Sequence, residues 1–135
     1  MKLKNELAQR FMQANKPALA IPLLQAASKD VRLEAQVLVN LGLCFLKQKQ
    51  NPLATRQFKK AVEKLTASEN PQPFKDCHYW LARLAEEAKD FAAAETHYLE
   101  ILGIDYAYKD VSARLEKIQE QLGKSGNVDL GDSDE

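Results

Sequence analysis

The 135-residue chain predicts an all-α fold, a solenoid of three helix pairs closed by a C-terminal helix. One observation behind this is an internal repeat with a period of 34 residues. Another is the segment 35–47, whose apolar residues recur at helical spacing on more than one face, so that it must be covered on most sides. Finally, segment 108–122 has a single apolar face, as the closing helix of a stack requires.

The repeat is carried by apolar and small residues at matching positions. A third copy follows the second at a displacement of 40 residues instead of 34. The extra residues fall in the polar, proline-containing stretch 66–75, which predicts a longer loop. The recurring residues are Leu7, Ala8, Phe11, Ala20, Leu24 and Ala27 in the first copy; Leu41, Gly42, Phe45, Ala54, Phe58 and Ala61 in the second; and Leu81, Ala82, Ala94 and Tyr98 in the third.

Each copy is expected to form two antiparallel helices that approach closely. A small residue such as Gly42 on the first helix then faces the second helix, and large residues fill the space beside the contact. The expected N-caps of the second helices are Asn15, two residues before Pro17, Asn51, directly before Pro52, and Asp90.

These features predict one helical domain over residues 1–122. Its units are expected at about 1–34, 35–74 and 75–108, followed by the closing helix at 108–122. Gly123 is expected to end that helix. The remaining polar, Gly-rich stretch, 123–135, is predicted to be a disordered acidic tail.

Composition argues against several classes of function. Lys plus Arg and Asp plus Glu are equal at 19 each, so no net charge draws the chain to nucleic acid or to an anionic membrane. Phosphate-binding loops, zinc-protease motifs and nucleophile elbows are missing from the sequence, which therefore predicts a non-catalytic protein without metal or cofactor. Cys44 and Cys77 have no metal-type spacing, and the N-terminus has no apolar signal region, so the expected location is the cytoplasm.

The 34-residue pattern resembles the tetratricopeptide repeat, which has a large residue, Leu-Gly, an aromatic residue, a small Ala, a second aromatic residue and a further Ala at these spacings. The second copy matches best, through Leu38, Leu41, Gly42, Phe45, Ala54, Phe58 and Ala61. The resemblance implies a right-handed α-solenoid that acts as an adaptor or scaffold for other proteins, with the first helix of each pair lining a concave groove.

Carried onto this chain, the resemblance predicts an apolar and aromatic groove for a partner peptide or helix. The alternative for the same side chains is that neighbouring helices simply bury them. The predicted groove residues are Met12, Val39, Asn40, Leu43, Leu46, Tyr79, Trp80 and Arg83.

Some members of the family hold an acidic chaperone tail with a clamp of Lys, Asn and Arg side chains. The corresponding positions here are Asn5, Gln9, Asn40, Asp76 and Trp80, of which only Asn40 is retained. Because Asp76 has the wrong sign to bind a carboxylate, a receptor of that type is not expected. The competing functional prediction is a self-assembly module that forms homo-oligomers through the apolar stripe or the ends of the stack.

Overall fold

The structure is a computed structural model that describes residues 2–133, with side chains for residues 2–123. The described residues form seven α-helices, one short 3-10 helix and no strand, which confirms the all-α prediction. The α-helices are α1 (Lys2–Gln13), α2 (Pro17–Ala27), α3 (Glu34–Lys47), α4 (Asn51–Glu63), α5 (Pro71–Glu87), α6 (Phe91–Leu102) and α7 (Val111–Ser133); the 3-10 helix, Val31–Leu33, precedes α3.

The chain divides into two compact units, Met1–Cys77 and His78–Glu135, with the boundary inside α5. In the first unit α1 packs against α2, and α3 packs against both α2 and α4. In the second unit α6 packs against α7 and shares a core with the C-terminal part of α5.

The centre of the first unit is α3, as its two apolar stripes predict. It contacts helices on more than one side, so most of its length is removed from water. Its buried residues are Val37, Leu38, Val39, Asn40, Leu41, Gly42, Cys44 and Phe45.

The core of the second unit is aromatic at its centre. Three tyrosines from α5, α6 and the turn before α7 pack edge to face, with ring centroids 5.8 to 6.4 Å apart. The amphipathic face of α7 completes this core, as its pattern predicts. The buried members are Tyr79, Ala82, Ala94, Tyr98, Ile101, Tyr108, Val111, Leu115 and Ile118.

The turn within each helix pair has the same conformation in all three copies. Asn15, Lys49 and Lys89 adopt left-handed backbone angles, with φ of 61°, 59° and 62°. In each turn the next amide donates to the carbonyl five residues earlier, as from Lys16 to Phe11, which is the Schellman ending of a helix. The repeat therefore extends to the turn, although none of the three residues is the glycine that usually occupies this position.

Two of the three expected N-caps are wrong. Lys16 and Gln50 occupy the N-cap positions of α2 and α4 and make no side-chain cap bond, because Asn15 is needed in the turn and Asn51 is already helical. Asp90 is confirmed, since its carboxylate accepts a hydrogen bond from the Ala93 amide at 3.2 Å.

Three helix ends differ from the prediction. α5 begins at Pro71, inside the stretch predicted as a loop, because both prolines of that stretch fall in the first turn, where a missing amide hydrogen costs nothing. α7 begins at Val111 instead of Tyr108 and continues through Gly123 to Ser133, where the sequence predicted disorder. No proline follows Gly123, and an established helix gains one backbone bond for each residue that it adds. Residues 134–135 of the predicted tail lie outside the described residues.

The contact between α3 and α4 gives a first test. A Cβ on Gly42 would lie 2.6 to 2.8 Å from ring atoms of Phe58, which is fully buried and cannot easily move aside. We expect Gly42→Ala to lower the free energy of unfolding by about 1–3 kcal/mol, measured by urea denaturation.

The first repeat supplies the matched rescue, because it places Ala8 and Leu24 at the same two positions. The double variant Gly42→Ala/Phe58→Leu should be more stable than the sum of the two single effects predicts. As a control, Gly103→Ala should be tolerated, since its nearest neighbour is the Leu99 carbonyl at 3.4 Å. Strict additivity in the double variant would show that Phe58 is not what excludes a larger residue.

The turns give a second test. Lys49 adopts a left-handed conformation that glycine adopts without steric cost, so Lys49→Gly should raise the free energy of unfolding by roughly 0.5–1 kcal/mol. Lys59→Gly, inside α4 ahead of its last turn, should instead lower it by about 1 kcal/mol. Equal losses from the two substitutions would mean that the turn gains nothing from glycine.

Candidate functional site

The predicted groove residues fall into two groups, one in each unit. Met12 on α1 and Val39, Asn40, Leu43 and Leu46 on α3 belong to the first unit. The other three, Tyr79, Trp80 and Arg83, lie on the part of α5 that belongs to the second unit.

A small pocket lies in the first unit where the end of α1, the start of α2 and the C-terminal half of α3 meet. Its volume is about 60 Å³, and two predicted residues, Met12 and Leu43, line it. A drug-sized ligand needs roughly 300–1,000 Å³, so this pocket accommodates no more than the end of one side chain. The complete lining is Met12, Asn15, Pro17, Leu43, Cys44 and Lys47.

Two of the α3 residues are buried in the unit. Val39 is part of the core, and Asn40 accepts a hydrogen bond from the Gln36 side-chain amide at 3.2 Å. Among the described residues, Asn40 Nδ2 and the side-chain oxygen of Asn5 on α1 have no hydrogen-bond partner, although both atoms are buried. Each such atom costs about 1–3 kcal/mol, so the two buried amides lower the stability of the first unit.

In the second group, Tyr79 contacts the turn just before α7. The Tyr79 hydroxyl donates to an Asp110 carboxylate oxygen at 2.9 Å and accepts from the Arg83 guanidinium at 3.1 Å. The Lys109 ammonium lies 5.0 Å from the centre of the Tyr79 ring, within the range of a cation–π contact. Trp80 is half-buried and packs edge-on to Tyr79. Tyr79 therefore contacts the turn that leads into the closing helix, and Arg83 donates to its hydroxyl from the same helix.

Glu86, on the same helix, extends this network. It accepts a short hydrogen bond from the Tyr98 hydroxyl and contacts the Arg114 guanidinium at 3.3 Å. Burial, together with the Glu86 carboxylate, raises the pKa of Tyr98. Partial burial acts against the charge on Arg114, but Asp110 at 2.8 Å raises its pKa. All charged members of the network are paired, which is what a partly buried cluster requires.

The repeats of this chain match those of a known protein family. A tetratricopeptide repeat profile matches residues 5–70 and again 53–108, which together span most of the chain. The chain belongs to the tetratricopeptide repeat family. A comparison with curated protein sequences finds no match. Tetratricopeptide domains as a class bind other proteins, and the family is typically non-catalytic.

The positions of the tetratricopeptide clamp have other roles in this chain. Asn5 on α1 and Asn40 on α3 are buried. Asp76 accepts a hydrogen bond from the Gln72 side chain at 2.9 Å. Within the described residues, no three His, Cys, Asp or Glu side chains come together as a metal site. Among residues 2–133, no helix is both long enough and apolar enough to cross a membrane.

Charge is divided unevenly between the two units of this tetratricopeptide chain. Residues 1–77 contain 13 Lys and Arg against 6 Asp and Glu, a net charge of +7, whereas residues 78–135 contain 6 against 13, a net charge of −7. The neutral total of the whole chain hides two units of opposite sign. Counting each repeat separately would have shown this from the sequence.

The structure also brings together two histidines that sequence reasoning left apart. His78 Nδ1 on α5 lies 2.9 Å from His97 Nδ1 on α6. Burial, and secondarily the proximity of His97, lowers the pKa of His78 to about 4. A signal existed in the repeat alignment, since His78 occupies the position of Leu38, a core residue of the second repeat.

This histidine gives a prediction about pH. The His78 imidazole takes up a proton near pH 6.5 in the unfolded chain but only near pH 4 in the folded chain. Between these pH values His78 therefore binds more protons in the unfolded state. The free energy of unfolding should therefore fall by roughly 2–3 kcal/mol as the pH drops from 6.5 to 4, and level off with respect to this group below that. Urea denaturation at successive pH values measures the slope, and His78→Gln should flatten it. An unchanged slope in that variant would assign the loss to other groups.

Proposed function

We propose that the chain is a non-catalytic adaptor that binds an apolar segment of another protein on the first helices of its repeats. The pocket beside Leu43 is the observation that carries this proposal. It opens where predicted groove residues from α1 and α3 meet, and both Met12 and Leu43 are only half-buried. An apolar side chain of the partner would enter it, and Leu46, also half-buried, lies one turn further along α3.

A polar group at this pocket supports a directed contact. Lys47 lies at the pocket with an exposed side chain and is suited to pair with a partner carboxylate. Because four of the five clamp side chains are replaced, the proposed segment is not the acidic chaperone tail.

In the second unit the proposed contribution is smaller. Trp80 remains half-buried and is the residue of that group suited to an apolar contact. The Arg83 guanidinium donates a hydrogen bond to the Tyr79 hydroxyl. It would have to break this bond before it could orient a partner.

Homo-oligomerisation is the second candidate, and the charge distribution favours it. A unit of net charge +7 on one copy attracts a unit of −7 on another, so chains would associate head to tail at low salt. Light scattering at rising salt concentration separates the candidates, because charge-driven association weakens steeply with ionic strength. A constant monomer mass at low salt removes this alternative.

The adaptor proposal predicts the effect of one substitution. Peptides selected on the wild-type chain from a random display library should bind Leu43→Glu at least about tenfold more weakly, because a buried carboxylate in the pocket opposes an apolar side chain. Leu99→Glu is the matched control, since Leu99 is an exposed leucine on α6, remote in sequence from the pocket residues. Circular dichroism establishes that each variant is folded. If both variants bind the peptides equally well, the pocket is not the site.

A further inference from the structure

The outer side of α1 carries an apolar stripe that nothing in the described structure covers. Leu3 is 79% exposed and Leu7 is 45% exposed, although both are large aliphatic residues on the same side of the helix. Phe11, one turn further on, is half-buried and continues the stripe. Isolated exposed leucines are ordinary, but a stripe at helical spacing indicates a face built for packing.

The repeat shows what this face is for. In the second copy the same two positions are Val37 and Leu41, which are 0% and 4% exposed, and α3, which carries them, packs against α2. In the third copy they are Cys77 and Leu81, at 0% and 3%. In these copies the face is buried, and α3 packs against α2 of the preceding repeat as well as against α4 of its own repeat. In α1 the same face also carries apolar residues, but no helix of the described chain covers it.

Charge identifies the kind of helix that fits. Lys4 and Arg10 lie on α1 at about 60° on either side of the stripe, at 100° for each residue, and both side chains are exposed. The acidic residue of α1, Glu6, lies further round the helix. A partner helix would therefore run its apolar stripe along Leu3 and Leu7 between two cations.

We propose that this face of α1 binds an amphipathic helix of another protein whose apolar stripe is flanked by acidic residues. A second copy of α1 is disfavoured, because it would bring Lys4 and Arg10 against like charges. Over residues 111–123, where its side chains are described, the closing helix of another copy offers no free apolar face, since Val111, Leu115 and Ile118 are already buried within their own unit. This surface is separate from the pocket beside Leu43, so either proposal can fail alone.

The test uses two synthetic helical peptides with the same leucine and alanine stripe, one flanked by Glu and the other by Lys. Anisotropy of a fluorescent label should show that the full chain binds the Glu peptide at least about tenfold more tightly than the Lys peptide. Leu7→Ser should reduce that binding at least about tenfold, whereas Leu99→Ser, at a comparably exposed leucine, and Leu43→Glu should leave it unchanged.

A charge reversal keeps the proposal falsifiable if Leu7→Ser fails to fold. The double variant Lys4→Glu/Arg10→Glu alters exposed residues and should prefer the Lys peptide. Equal binding of both peptides, no binding of either, or an unchanged preference in the charge-reversed variant would overturn the proposal. A dimer seen by light scattering that reverts to monomer in Leu7→Ser would also overturn it, because a second copy would then be the occupant.

Discussion

Close approach of the two helices within a repeat is the constraint on which the rest of the first unit depends. Gly42 lets α3 lie directly against the Phe58 ring of α4, and any larger residue would have to push that ring aside. The other repeats divide the same volume differently, with Ala8 and Leu24 in one and Ala82 and Tyr98 in the other, and all three of the large partners are fully buried. What is preserved is the space that a pair of residues fills, since interiors are packed to a nearly constant density.

In the third repeat the large residue of that pair is a tyrosine, and this choice brings polar groups into the core. The Tyr98 hydroxyl needs a partner once buried, and Glu86 supplies one; the carboxylate in turn needs a cation, which Arg114 provides from α7. The polar network that attaches the closing helix is therefore a consequence of the core residue. On the face of α5 expected to bind a partner, the Tyr79 hydroxyl is likewise occupied, by Asp110 just before α7 and by Arg83 on α5 itself.

The period of the sequence predicted the repeats, the small-residue contacts and the closing face of α7, because these follow from spacing and residue size. The start of α5 could not be predicted, since a proline pair is compatible with a loop and with a first helical turn alike. The burial of Val39 and Asn40 could not be predicted from the pattern either. The stripe on α3 is continuous, and only packing shows which part of it remains exposed. The contact of His78 with His97 depends on the register of two helices, which spacing within each helix does not fix.

If the pocket beside Leu43 is the binding site, recognition must use several small contacts. Burying one aliphatic side chain contributes about 1.5–3 kcal/mol, whereas a micromolar complex needs about 8 kcal/mol. A pocket of about 60 Å³ admits no more than the end of one such side chain, so it supplies less than half of that free energy. The Lys47 cation lies at the same pocket and would add a polar contact. The outer stripe of α1 lies on the same unit as this pocket. If one partner engaged both surfaces, the second contact would form at a high effective concentration, and two weak contacts would give a specific complex.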